Sequence, residues 1–211
     1  MAAWKAEQAR VRGAMRAEPL GEVPEVVAGA DCAFTQDEVV AAAVRFDVRR
    51  REVVEVVSVR RPLTVPYIPG FLAFREAPAV VAALSKLAGG FGAVLIDGAG
   101  FAHPRRAGLA VHVGVELDLP TLGVAKSRLL GTHDEPGEAA GSAVDLTDKG
   151  EVIGRVLRLR DRVRPLFVSV GHGITLDDAQ RLTLACGVGY RLPEPTRQAD
   201  AEVARAKKAL G

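Results

Sequence analysis

The sequence predicts an α/β fold, a mixed β-sheet flanked by helices, and three observations carry that prediction. Three β-rich segments follow one another near the N-terminus with short polar breaks, as in an antiparallel meander. A short apolar run, "FGAVLIDGAG", ends in a carboxylate and glycines, the pattern of a central parallel strand whose carboxyl end opens into a crevice. Segments of helical spacing flank that run on both sides. At 211 residues the chain is read as one domain, 1–211, with a substantial core.

In order along the chain, "MAAWKAEQARVRGAMRAEP" reads as an amphipathic surface helix. It lacks the apolar core of a secretory signal, and Glu7 and Glu18 argue against a transit peptide. The strands "EVVAGADCAF", "VVAAAVRFDV" and "EVVEVVSVRRP" form the meander. After the Pro-rich loop "VPYIPGFLAFRE", "FREAPAVVAALSKLA" has helical spacing and stops at Gly89 and Gly90. The strand ending at Asp97 comes next, then a helix in "RRAGLAVHVGVELD" and a strand in "LPTLGVAKSRL". "THDEPGEAAGSAVDLTDKGE" reads as a polar connection, because strands resume in "EVIGRVLRLR" and "PLFVSVGHG". Thr175 with Asp178 marks a capping box, and "EPTRQADAEVARAKKAL" closes the chain as a helix with lysines at its C-terminal end.

Composition narrows the function. Apolar residues make up 48% and charged residues 26%, an ordinary folded protein's balance, and no stretch is long and apolar enough to span a bilayer. The formal charge is only +2, but arginines cluster in "VRRREVVEVVSVRRP" and "HPRRAG", local basic patches that permit nucleic acid. Two isolated cysteines, Cys32 and Cys186, exclude a disulfide framework or a CxxC metal site and fit a reducing cytoplasm.

Two carboxylates stand where they are costly. Asp31 interrupts the apolar strand "VAGADCAF" and Asp97 ends "AVLIDGAG"; each needs a cation or several donors, since an uncompensated buried carboxylate costs several kcal/mol. Taken singly, Asp31 also fits a turn or an arginine pair, Asp97 a turn, and Glu76 a solvated first-turn glutamate. If the three converge, oxygen ligands without thiolates favour Mg²⁺, or Mn²⁺, over zinc. His103 and His172 each follow a strand among glycines, where a site histidine belongs. His112, inside a helix, and His133, in a polar loop, read as structural. Lys126 ends a strand and faces either the crevice or solvent; Arg105 and Arg106 fit a phosphate site or a solvated pair; Asp177 and Asp178 are explained by capping.

The segments "VPYIPGFLAFRE", "DGAGFAHPRRAGLAVHVG", "PTLGVAKSRL", "SVGHGITLDDA" and "GYRLPEPTRQAD", in this order from about Asp31 to Asp200, resemble the endonuclease V family. The resemblance implies an RNase H-like fold with a mixed five-stranded sheet. It implies that Asp31, Glu76 and Asp97 form an acidic metal site, with His172 in or beside it and Lys126 and His103 as accessory polar residues. It further implies repair nicking of nucleic acid containing deaminated adenine, hypoxanthine (inosine), at the second phosphodiester 3′ to the lesion, without settling whether DNA or RNA is preferred. Pro66, Tyr67, Ile68, Pro69 and Gly70 then match a strand-separating wedge, and Leu72, Gly98, Gly100 and Leu129 a base pocket. On the residues alone, the loop fits equally a surface turn whose Tyr67 packs on the protein's own core, and the two leucines fit the core. Ala99 departs from the larger polar residue expected there. RNA as the main substrate, a junction-resolving nuclease of the same fold and a noncatalytic lesion-binding module stay open beside this reading. A monomer is the expected state, since one cut near one lesion needs no two-fold partner.

Overall fold

The computed structural model describes Met1 to Ala209; Leu210, the last residue of the expected C-terminal helix, and Gly211 lie outside the described residues. After helix α1 (Ala2–Ala14) the chain forms the meander β1 (Val26–Phe34), β2 (Glu38–Asp47) and β3 (Glu52–Pro62). Helix α2 (Ala73–Leu84), strand β4 (Val94–Asp97), helix α3 (Leu109–Leu117) and strand β5 (Thr121–Ala125) follow. Strands β6 (Ala143–Asp148), β7 (Glu151–Leu157) and β8 (Leu166–His172) precede helices α4 (Leu176–Ala185) and α5 (Glu194–Lys208).

All eight strands belong to one sheet in the order β3-β2-β1-β4-β5-β8-β7-β6. β1, β2 and β3 are antiparallel to their neighbours in the meander, whereas β1, β4 and β5 are parallel. The first five positions are the RNase H-like arrangement. The expected five-stranded sheet is corrected to eight, because β8, β7 and β6 extend it antiparallel beyond β5. One added strand lies inside the segment read as a polar connection: "AVDLTD" is an edge strand and needs no apolar alternation, since one side has no partner strand. Arg106 holds that hairpin, its guanidinium 2.8 Å from Asp148 and 2.7 Å from Glu151. Its phosphate-site reading is thereby replaced by a structural one.

Alternation along the central strands places a core on each face of the sheet. Ala28, Ala30, Val94 and Ile96 pack with Ala77, Val80 and Leu84 of α2 and with Ala110 and Val113 of α3. Val27, Leu95, Leu122, Val124 and Val168 pack with Ala179 and Leu182 of α4. Helix α5 approaches β1 at Gly29, where an added Cβ would collide with the Pro195 backbone. That close seat brings α5 beside the carboxyl ends of β1 and β4. In α4 the Thr175 side chain accepts from the Asp178 amide, the N-cap expected from the sequence. No helix of the described residues is long and apolar enough to cross a membrane.

Candidate active site

The site begins with the register of β1 and β4. Ala28, Gly29 and Ala30 pair with Val94, Leu95 and Ile96, so the next residues, Asp31 and Asp97, emerge together where the parallel strands end. Helix α5 contributes Asp200, and one carboxylate oxygen from each of Asp31, Asp97 and Asp200 lies within 4.8 Å of the others. Sequence reading missed Asp200 as a site residue. It stands among ordinary helix-surface charges, and its only signal was its place at the end of "GYRLPEPTRQAD".

The electrostatics show what this cluster lacks. Burial, and next the Asp97 charge, push the Asp31 carboxyl up to about 8, although the Cys32 amide donates to it at 2.8 Å. Asp97 is also raised, by burial first, against the opposing bond from Lys126. Lys126 directly follows β5, and its Nζ sits 2.6 Å from Asp97 and 3.1 Å from Asp200. Desolvation disfavours its ammonium, but those two bonds outweigh it and raise the pKa. One ammonium among three carboxylates leaves negative charge in excess. An all-oxygen donor set of this kind suits a hard divalent cation, which would favour the ionised forms.

Glu76, in the first turn of α2, falls outside that trio. It lies beside Asp97 and against the Cys32 thiol; burial pushes it up to about 7, with the thiol bond opposing and Asp97 adding to the rise. The sequence left Glu76 as a ligand bound directly or through water; it lines the cleft beside Asp97 and lies outside the 4.8 Å trio. His172 is corrected. β8 runs antiparallel to β5, pairing Phe167 with Ala125 and His172 with Thr121, so His172 lies at the opposite end of β5 from Lys126. There its Nδ1 accepts from the Arg16 amide at 3.4 Å and its Nε2 lies 3.3 Å from Asp118.

Glu76 and Asp97 line a cleft of about 550 Å³, together with Tyr67, Pro69, Gly70, Leu72, Gly98, Ala99, His103 and Leu129. Tyr67 is 65% exposed and Leu129 59%, so neither is the core residue of the competing reading; Leu72 is also exposed. Arg75 lies between the rings of Phe34 and Tyr67, its guanidinium carbon 4.5 Å and 5.7 Å from their centroids. Pro66 is exposed and Ile68 half-buried beside the tip. Gly100 is a correction: it is buried, an added Cβ would strike the Val170 carbonyl, and its amide donates to Ser169 Oγ at 2.9 Å. It packs the loop onto β8 and does not line the cleft. Arg105 is likewise no free phosphate ligand, since its guanidinium is bonded to Gln8 and to the Gly70 carbonyl.

His103 in the cleft wall and His112 in α3 are both buried, and burial pushes both down to about 4 from 6.5. Between those values the unfolded chain binds protons that the fold rejects, so folding stability rises with pH from about 4 to 6.5 and is lost as pH falls through that window. The contribution is on the order of 3 kcal/mol per histidine. Urea unfolding at several pH values checks this, and His112→Phe, at a site whose Nε2 has no hydrogen-bond partner, should flatten the slope.

The fold and site define a class: an RNase H-like domain with carboxylates gathered at its strand ends, beside a cleft rimmed by an exposed aromatic loop. A profile of the Endonuclease V family matches residues 9–201. The chain is 48% identical over 197 residues to an Endonuclease V of Geotalea uraniireducens, covering 93% of this chain and 84% of that one. It is 51% identical over 177 residues to that of Azotobacter vinelandii, covering 83% and 80%. Among solved structures, the Endonuclease V of Streptomyces avermitilis superposes with a TM-score of 0.94 at 44% identity, covering 99% of this chain and 94% of that one. The Ciona intestinalis enzyme, in complex with a 24mer DNA containing an inosine followed by a ribo-adenosine, superposes at 0.87 and 27% identity, covering 100% and 98%. The chain belongs to the endonuclease V family and is a nuclease.

Proposed function

We propose that this endonuclease nicks inosine-containing DNA, in repair of deaminated adenine, at the second phosphodiester bond 3′ to the lesion. The products carry 3′-hydroxyl and 5′-phosphate ends. The observation that carries the reading is the convergence of Asp31, Asp97 and Asp200 within 4.8 Å, next to a cleft that also holds Glu76 and the exposed Tyr67. The Ciona relative was solved with a 24mer DNA whose inosine is followed by a ribo-adenosine, which supports an inosine-containing nucleic acid as substrate; DNA over RNA is our assignment.

Asp31, Asp97 and Asp200 are the residues that would hold Mg²⁺, with Mn²⁺ able to substitute. Held there, the ion would supply Lewis acidity toward the scissile phosphate and lower the pKa of a water. Glu76, lining the cleft beside Asp97 and raised to about 7, orients a water at the cluster and takes its proton. Lys126 offsets the charge that develops on the phosphate oxygens. Tyr67, on a loop stiffened by Pro66 and Pro69, fills the gap left when the lesion leaves the stack, and Leu72, Gly98, His103 and Leu129 enclose the displaced base. The burial that pushes His103 down to about 4 keeps its imidazole neutral at pH 7, suited to hydrogen bonding with an uncharged base.

The chain acts as a single domain and a monomer, and with two free thiols we place it in the cytoplasm. A nicking assay on inosine duplex, inosine single strand, inosine RNA and a four-way junction, with and without Mg²⁺, tests the reading. It stands if inosine DNA is cut only with the metal. Preferred cutting of RNA or of the junction overturns the substrate assignment, and binding without any cutting overturns the enzyme.

A further inference from the structure

We infer that Gln8 is a positioning residue for the lesion loop, holding the base of the Tyr67 tip through a buried hydrogen-bonded triangle with Gly70 and Arg105. This rests on the reading of Tyr67 as a wedge. Gln8 belongs to α1, which looked like a surface helix in the sequence, yet it is fully buried. Its Nε2 donates to the Gly70 carbonyl at 2.9 Å, and its Oε1 accepts from Arg105 Nε. Arg105 closes the triangle by donating from Nη2 to the same Gly70 carbonyl. Both the nitrogen and the oxygen of the Gln8 amide are engaged in this triangle, and Gln8 itself is fully buried, so losing either bond leaves a polar group that needs a partner.

The surroundings make this a fastening point for the loop. Gly70 has φ +78°, and an added Cβ would stand 2.7 Å from Arg105 Nη2, so the backbone turns under the guanidinium where only glycine fits. The Arg105 guanidinium also lies over the Phe71 ring, 4.3 Å from its centroid. The Phe71 amide bonds the Ile68 carbonyl at 3.0 Å, which closes the turn between this anchor and Tyr67. One turn before Gln8, Trp4 stacks on Phe74 at 5.1 Å and lies 5.7 Å from Phe71. Helix α1 therefore grips Phe71, Phe74 and the Gly70 carbonyl, while Tyr67 itself stays exposed. A stacking residue acts only if its support is fixed before the substrate arrives, since ordering it during binding costs affinity.

The test is a double-mutant cycle on the ratio of kcat/KM for an inosine duplex to that for the same duplex with adenine. Gln8→Met, which keeps length and loses both hydrogen bonds, should lower the ratio roughly tenfold, the scale of one buried hydrogen bond. In a Tyr67→Ala background it should lower it no further, because the residue it positions is gone. Fluorescence of Trp4, the single tryptophan, and Mn²⁺ affinity should match the parent. Gln8→Glu, which still accepts from Arg105 but sets an oxygen against the Gly70 carbonyl, should reproduce the loss and decides the case if Gln8→Met does not fold. Equal losses in both backgrounds, or an undiminished ratio, overturn the inference. If Tyr67→Ala alone leaves the ratio unchanged, the wedge reading itself has failed; if Tyr67→Ala lowers it and the Gln8 variants do not, only the inference has.

Discussion

Asp97→Asn should reduce metal-dependent nicking of an inosine duplex by about 10³-fold or more, at or above the loss from removing one preorganised oxyanion donor. The substitution keeps the side chain's shape at the end of β4 and removes the charge through which it meets both Lys126 and the cation. Binding of the inosine duplex in the absence of cleavage should survive, because the cleft contacts around Tyr67, Leu72 and Leu129 do not depend on that charge. Single-turnover kinetics with a parallel gel-shift titration separates the two effects. Cleavage near the parental rate would remove Asp97 from the site. The same substitution has a stability arm with the opposite sign: burial raises the Asp97 pKa, so the folded protein resists ionising it, and losing that charge should not destabilise the fold at neutral pH.

Tyr67→Ala should narrow the preference for inosine over adenine by about 5- to 100-fold, the worth of one aromatic-base stack at roughly 1–3 kcal/mol. Tyr67 is 65% exposed, so the fold gives up little when its ring is removed, and thermal unfolding should stay near the parent. Mn²⁺ affinity should be unchanged, since the ring lies outside the aspartate trio. A preserved inosine preference would return the loop to a surface turn.

The parts of this site that were legible in the sequence are those where a residue breaks its local pattern. Asp31 and Asp97 stand out because carboxylates do not belong in apolar strands, and the parallel pairing that makes them neighbours follows from the order of elements. The Pro-Tyr-Ile-Pro-Gly loop is visible because two prolines and a glycine restrict its backbone. Asp200 and Gln8 were not visible, because on a helix a polar residue is ordinary until packing shows which face is covered. His172 misled for a related reason: a glycine-flanked strand end looks alike at either end of a sheet, and only the antiparallel direction of β8 sends it away from the aspartates. Glu76 was placed on the right helix turn, but whether a carboxylate there reaches the aspartate trio is a tertiary quantity. β6 stayed hidden because an edge strand with polar residues reads like a loop.

Anomalous diffraction from crystals of this chain grown with Mn²⁺ tests the central claim most directly. Density between the carboxylates of Asp31, Asp97 and Asp200, at roughly 2.1 Å from their oxygens, is the predicted result. No density there at saturating Mn²⁺, with cleavage of inosine DNA intact under the same conditions, would contradict it.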